Sequence, residues 1–133
     1  MSGVRNGSAG KLVLRLTVGI LLLFHGVAKI VHPESLGMIE KALTAVGLPA
    51  ELAYGVYLGE IVAPLMMIFG IYARVGAAVV VVNMAFAIFL VHSGDFLDLT
   101  KHGGWALELQ AFYLLGASAV VLLGSGRQAL KPD

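Results

Sequence analysis

Apolar residues fill this chain in four long runs, and the polar positions inside those runs are few and regularly spaced. Crossing the hydrocarbon layer of a bilayer takes about 20 predominantly apolar residues. The segments 12–31, 52–73, 75–92 and 105–124 meet that requirement. Short connections between them predict antiparallel neighbours in an up-down four-helix bundle. The expected organisation is a tail at 1–11, one transmembrane domain at 12–127 and a second tail at 128–133.

The long connection, 32–51, has a pattern of its own. Leu36, Ile39, Leu43 and Val46 recur at helical spacing, with Pro33 at a first turn and Gly47 as a stop. This predicts a short amphipathic helix on the outer membrane surface, closing the loop or capping the bundle.

Composition settles the class. Of the 133 residues, 59 % are hydrophobic and 13 % charged, and the mean hydropathy is +0.91. Soluble domains are nearer half apolar and a quarter charged. The chain is therefore expected to be an all-α integral membrane protein. Its basic, then apolar, start imitates a secretory signal, but three further spans follow, so the segment reads as the first transmembrane helix.

Arg5, Lys11, Arg74, Arg127 and Lys131 collect on one side of the membrane. Lys41 and Lys101 lie on the other, among Glu34, Glu40, Glu51, Asp95 and Asp98. Basic loops stay in the cytoplasm, so a multi-pass inner-membrane protein with both termini cytoplasmic is expected. Arg15 and Arg74, near the inner boundary, read as headgroup anchors.

A net charge of +1 without a basic patch excludes nucleic acid as a partner. The absence of cysteine excludes disulfides, thiolate metal sites and a dithiol relay within the chain. There is no HExxH, P-loop or dinucleotide fingerprint, and no metal site is expected.

Ionisable residues within transmembrane helices are rare, and they mark functional sites by default. His25, Lys29 and His32, spaced i, i+4 and i+7, fall within roughly 60° of one another on the first helix. On the second helix Glu60 lies roughly 12 Å from the outer end, near the depth of His25. Tyr57, Glu60, Pro64 and Met67 share a face there. Pro64 has no N–H, so the carbonyl of Glu60 loses its usual helical donor. Asn83 reaches a similar depth on the third helix. Glu108 enters one turn into the fourth through "WALELQ", level with Lys29 and the start of the loop carrying His92.

Two polar layers follow, a deeper one of His25, Glu60 and Asn83 and a shallower one of Lys29, Glu108 and His92. A Lys29–Glu108 ion pair would let two charges share a low-dielectric interior, with Glu60 as the other candidate partner for Lys29. His25 beside Glu60 would form a proton-exchanging couple. Each group also has a structural reading. Lys29 can snorkel, Glu60 can sit protonated at a kink, and Asn83 can tie two helices together. Gly55-x-x-x-Gly59 is expected to serve helix packing, on a side away from Glu60. Haem is disfavoured, because His25 and His92 differ too much in depth to be paired ligands.

These residues resemble the DoxX family of small four-helix membrane proteins over about 12–127. "LRLTVGILLLFHGVAKI" is similar to the family's first helix, with Arg15, Gly19, Gly26 and Lys29 in the expected places. "LGEIVAPLMMIFGIYARVGA" resembles the second, with Glu60, Gly70 and Arg74. "ALELQAFYLLGASAVVLLGSGR" resembles the last, with Glu108 and Gly124-x-Gly126-Arg127. The resemblance implies a membrane subunit associated with redox systems. The family's name-giving member belongs to a thiosulfate:quinone oxidoreductase, and related proteins accompany enzymes of thiol and oxidative-stress metabolism.

The first functional expectation is a quinone-linked redox subunit. Glu60, His25 or Glu108 would supply protons, and Lys29 would stabilise charge developing on a quinone oxygen. Tyr57, Asn83, His92 and Trp105 would line the site. Electrons would come from a soluble or membrane partner, or directly from a reductant, and a homo-oligomer is equally compatible. The alternatives are a non-catalytic anchor or assembly subunit and a small proton-coupled transporter.

Overall fold

The computed structural model describes the backbone of residues 2–91 and 93–133 and the side chains of residues 7–91 and 94–133. Helices account for the regular structure of the described residues, with only isolated bridges at Ile71–Lys131 and Leu99–Trp105. They are α1 (Ser2–Val31), α2 (Leu36–Ala45), α3 (Ala50–Phe69), α4 (Ala73–Val91) and α5 (Glu108–Leu123). The first, third and fourth contain stretches long and apolar enough to cross a membrane, at Gly7–Val31, Ala50–Phe69 and Ala73–Val91. With 16 residues, α5 is shorter and rises about 24 Å.

Contacts between the helices give their directions. Going down α1, Gly26 meets Glu60 and Arg15 meets Met67, so α3 runs antiparallel to α1. His25 meets Tyr113 and Val18 meets Gly116, so α5 also opposes α1. Gly59 meets Asn83 and Ala63 meets Gly76, so α4 opposes α3. The described chain is an up-down bundle around a core that includes Val18, Leu22, Met67, Val80, Met84 and Val120. Phe24, Phe89, Leu115 and Leu122 face outward on its surface, as lipid contact requires.

Helix ends depart from the sequence pattern for local reasons. The segment expected as a tail begins α1 at Ser2 despite Gly3, Gly7 and Gly10, which disfavour helix, and Ser8 Oγ accepts the Arg127 N–H at 2.9 Å. The third helix stops at Phe69, where Gly70 takes a left-handed φ of 70° and ends it. The last helix starts at Glu108, not at 105. Ala106 N–H is given to the Asp98 carbonyl at 3.0 Å, and Thr100 N–H to that of Gly104 at 2.7 Å, which holds 98–106 as a hairpin-like loop.

Arg15 is buried, with 1 % of its surface exposed, and so is not a headgroup anchor. Its guanidinium donates to the Met67 carbonyl at 2.7 Å and the Ile68 carbonyl at 3.1 Å, at the end of α3, and also to the Gln128 carbonyl. Those terminal carbonyls have no intrahelical donor and carry the negative end of the helix dipole. The segment 128–133 is likewise not a loose tail. Leu130 and Lys131 N–H groups donate to Phe69 and Gly70 carbonyls at 3.0 and 2.9 Å, and the Asp133 carboxylate accepts the N–H groups of Arg74 and Ser125.

Candidate functional site

The site grows from an irregularity in α3. The helix enters as a 3₁₀ turn over Ala50–Tyr54 and widens to a π-helical stretch over Leu58–Val62 before Pro64. Pro64 supplies no N–H, and the Ala63 N–H bonds five residues back to the Leu58 carbonyl. Such π-helical turns often mark functional positions. The freed Glu60 carbonyl lies against Gly26 of α1, where a Cβ would collide with it. That close approach brings α1 onto the acidic turn of α3.

Lys29 Nζ donates to Glu60 Oε1 at 2.6 Å, and Asn83 Nδ2 donates to Glu60 Oε2 at 3.1 Å. Of the two side chains in the ion pair, Glu60 is 6 % exposed and Lys29 22 %. One carboxylate thus joins α1, α3 and α4, and each charge offsets part of the other's desolvation. Tyr57 adds to the same junction by donating its hydroxyl to the Lys29 carbonyl at 3.1 Å. Of the two candidate partners for Lys29, the structure pairs it with Glu60 and not with Glu108, and Lys29 belongs to the layer of Glu60 and Asn83.

Gly59 packs directly on Asn83, with no room for a Cβ. The Gly55-x-x-x-Gly59 motif therefore does not face away from the cluster. Its second glycine lets Asn83 reach Glu60.

The cluster forms part of the wall of a cavity of about 710 Å³, lined mainly by apolar side chains. His25, Lys29, Glu60 and Asn83 all line it. His25 is half-buried and sets its ring edge-on to Tyr113, with centroids 5.8 Å apart, rather than hydrogen bonding to Glu60. Helix α2 roofs one end of the cavity with Met38, Ile39 and Leu43. The amphipathic loop helix thus turns its apolar face to the cavity.

Other expected site residues lie elsewhere. Glu108 is exposed in the first turn of α5, its carboxylate beside Gly104 and close to the positive end of its own helix. Trp105 donates Nε1–H to the Phe96 carbonyl at 2.7 Å and does not line the cavity. Tyr57 braces the cluster from behind and is also absent from the wall. His92 lies outside the described residues. His32 is exposed, with Nδ1 3.4 Å from Glu34.

Two polar lining residues on α5 were not expected. Gln110 and Tyr113 sit one turn apart on α5 and both face the cavity. Their signal in the sequence is a glutamine inside an apolar run, three residues before a tyrosine.

The DoxX family model matches residues 10–93, which hold Lys29, Glu60 and Asn83 and end before α5. The chain is similar to an uncharacterized protein of Haemophilus influenzae, at 34 % identity over 121 residues, covering 88 % of this chain and 84 % of that protein. It is also similar to an uncharacterized membrane protein of Mycobacterium tuberculosis, at 29 % identity over 133 residues, covering 93 % of this chain and 80 % of that one. No solved structure matches it.

Proposed function

This chain belongs to the DoxX family of membrane proteins, and from that premise we propose that it is a quinone-linked redox subunit whose ring site is the cavity beside Lys29 and Glu60. One observation carries the reading: a partly buried, hydrogen-bonded ion pair forms part of the wall of a largely apolar cavity. A ligand pocket of this kind combines an apolar lining with a few convergent polar groups, and typical pockets measure about 300–1,000 Å³.

The residues present fit a quinone ring. When bound, a quinone supplies two-electron, two-proton chemistry. The Lys29 ammonium would provide positive charge for a ring oxygen, and Glu60 sets the position of that ammonium by holding it at 2.6 Å. His25, on the same wall, is the side chain suited to hold or pass a proton. Asn83 fixes the second carboxylate oxygen of Glu60 and thus the orientation of the pair. Electrons are supplied by a partner or by a reductant of sulfur, thiol or oxidative-stress metabolism. We place the chain in the inner membrane with its termini cytoplasmic, on the distribution of Lys11, Arg74, Arg127 and Lys131.

A second reading, a non-catalytic anchor, is supported by the way both Glu60 oxygens are used to join three helices. Organic extraction of detergent-purified protein, repeated on Glu60→Gln and Lys29→Met, separates the two. The redox reading expects quinone in the parent and its loss from variants that still accumulate and fold. Quinone-free parent protein, with variants that no longer accumulate, supports the anchor.

A further inference from the structure

We propose that the loop joining α4 to α5 is a membrane-surface anchor, with Phe96, Leu97, Leu99 and Trp105 held in lipid at the boundary between acyl chains and headgroups. The inference does not depend on what the cavity binds.

The first observation is a shortfall of helix. The hydrocarbon core of a bilayer is about 30 Å thick, and the 16 residues of α5 rise about 24 Å. The missing length falls at the end of the bundle that carries α2. At the opposite end α4 and α5 are level, because Gly124, just past α5, lies against the Arg74 side chain in the first turn of α4. The residues that lead into α5 therefore sit at the depth where acyl chains give way to headgroups.

The second observation is that this segment is built for such a depth. Backbone groups near lipid must find partners within the protein. Two hydrogen bonds already make the loop hairpin-like. In addition, Asp98 N–H donates to the Asp95 carbonyl, Gly103 N–H to that of Thr100 and Glu108 N–H to that of Trp105, each at 3.0 Å. The Trp105 indole N–H is also given away within the loop, to the Phe96 carbonyl. A tryptophan so satisfied suits the membrane interface, where these rings gather.

The third observation is the surface the loop presents. Leu97 is 95 % exposed and Leu99 69 %. Leu99 and Trp105 are bridged as an antiparallel pair, which puts their side chains on one face. Phe96 packs on Phe89 of α4, with ring centroids 5.9 Å apart, and Phe89 belongs to the outward, lipid-facing surface. The apolar side chains of the loop thus continue that surface. Asp98, Lys101 and His102, also exposed, provide the polar rim that meets headgroups and water. An apolar patch with a polar rim marks a membrane or a protein contact. Its depth and its continuity with Phe89 select the membrane.

The test uses the full chain in phosphatidylcholine nanodiscs. Trp105 is the sole tryptophan of the sequence, so its fluorescence reads the loop without a label. The quenchers are aqueous iodide and lipids brominated either near the headgroup or near the end of the acyl chain. A second protein, Leu97→Trp/Trp105→Phe, moves the probe to a fully outward position. In both proteins bromine near the headgroup is expected to quench strongly, bromine at the chain end weakly, and iodide little. Leu97→Asp/Leu99→Asp is expected to fold as the parent does, because neither leucine is buried against the bundle. In that variant Trp105 emission is expected to shift to longer wavelength, to open to iodide and to lose most of the quenching by bromine near the headgroup.

Iodide access to the Leu97→Trp probe without bromine quenching overturns the inference. Equal quenching by bromine at the chain end and near the headgroup overturns it too. Unchanged emission and quenching in folded Leu97→Asp/Leu99→Asp would show that the leucines do not hold the loop, with the same consequence. Protection from iodide that is present with two copies per disc and lost with one assigns the patch to a second copy of the chain and overturns the lipid anchor.

Discussion

Lys29 Nζ lies 2.6 Å from Glu60 Oε1, joining the upper turn of one helix to the irregular turn of the next. The pair is neutral as a unit, and Asn83 occupies the carboxylate oxygen that Lys29 leaves free. Its energetics follow from the asymmetry between removing one charge and removing both.

Glu60→Leu leaves the Lys29 ammonium without its partner and is expected to destabilise the bundle by about 3 kcal/mol. The double variant Glu60→Leu/Lys29→Met removes both charges and is expected to be more stable than Glu60→Leu alone. Thermal unfolding of the parent, Glu60→Leu, Lys29→Met and the double variant in one detergent gives the coupling. Equal or greater loss in the double variant would show that the two side chains do not act as a pair.

Gly26→Ala puts a methyl group into the Glu60 carbonyl and must push α1 from α3. The expected cost is about 1–3 kcal/mol, with weaker retention of any cavity ligand. Gly10→Ala, in the same helix with open space around it, is expected to be neutral or to stabilise by up to about 1 kcal/mol. Melting temperatures of the two variants side by side check this, and similar shifts would contradict it.

Arg15→Lys is expected to lower stability even though it keeps the charge, because one ammonium cannot replace a fork that reaches three carbonyls on two segments. A loss of about 1–3 kcal/mol is expected. Arg15 does not line the cavity, so the affinity of the folded fraction for quinone is expected to remain at the parent value. Stability and affinity measured on one preparation separate the two effects.

Glu108→Gln is expected to change stability by less than about 1 kcal/mol and cavity binding not at all. The side chain is exposed at the start of α5, away from Lys29. Binding loss in this variant would mean that Glu108 swings into the cavity when it is occupied.

The sequence showed which residues would be polar inside the membrane more readily than which would touch. Lys29 and Glu108 share a depth, and depth alone left Glu108 and Glu60 both open as partners for Lys29. A helical repeat fixes a residue's height to about a turn and its angle about its own axis, but not how neighbouring helices rotate toward each other. That rotation depends on contacts such as Gly26 against the Glu60 carbonyl and Gly59 against Asn83, where an absent side chain lets backbones approach. Gln110 went unnoticed beside the charged Glu108, and Arg15 was misplaced because its height near a boundary concealed the burial that three carbonyls make possible.

By itself, then, the sequence determined that this protein is helical and resides in a membrane, because runs of apolar residues long enough to span a bilayer have few other stable solutions. It also determined that Pro64 would disturb α3 at Glu60, since a missing N–H acts within its own helix. Only the tertiary structure decided that Lys29 pairs with Glu60, that Arg15 closes the end of α3, and that His25 shares a cavity with Gln110 and Tyr113. Those are relations between helices, and they are set by packing, which no single helix encodes.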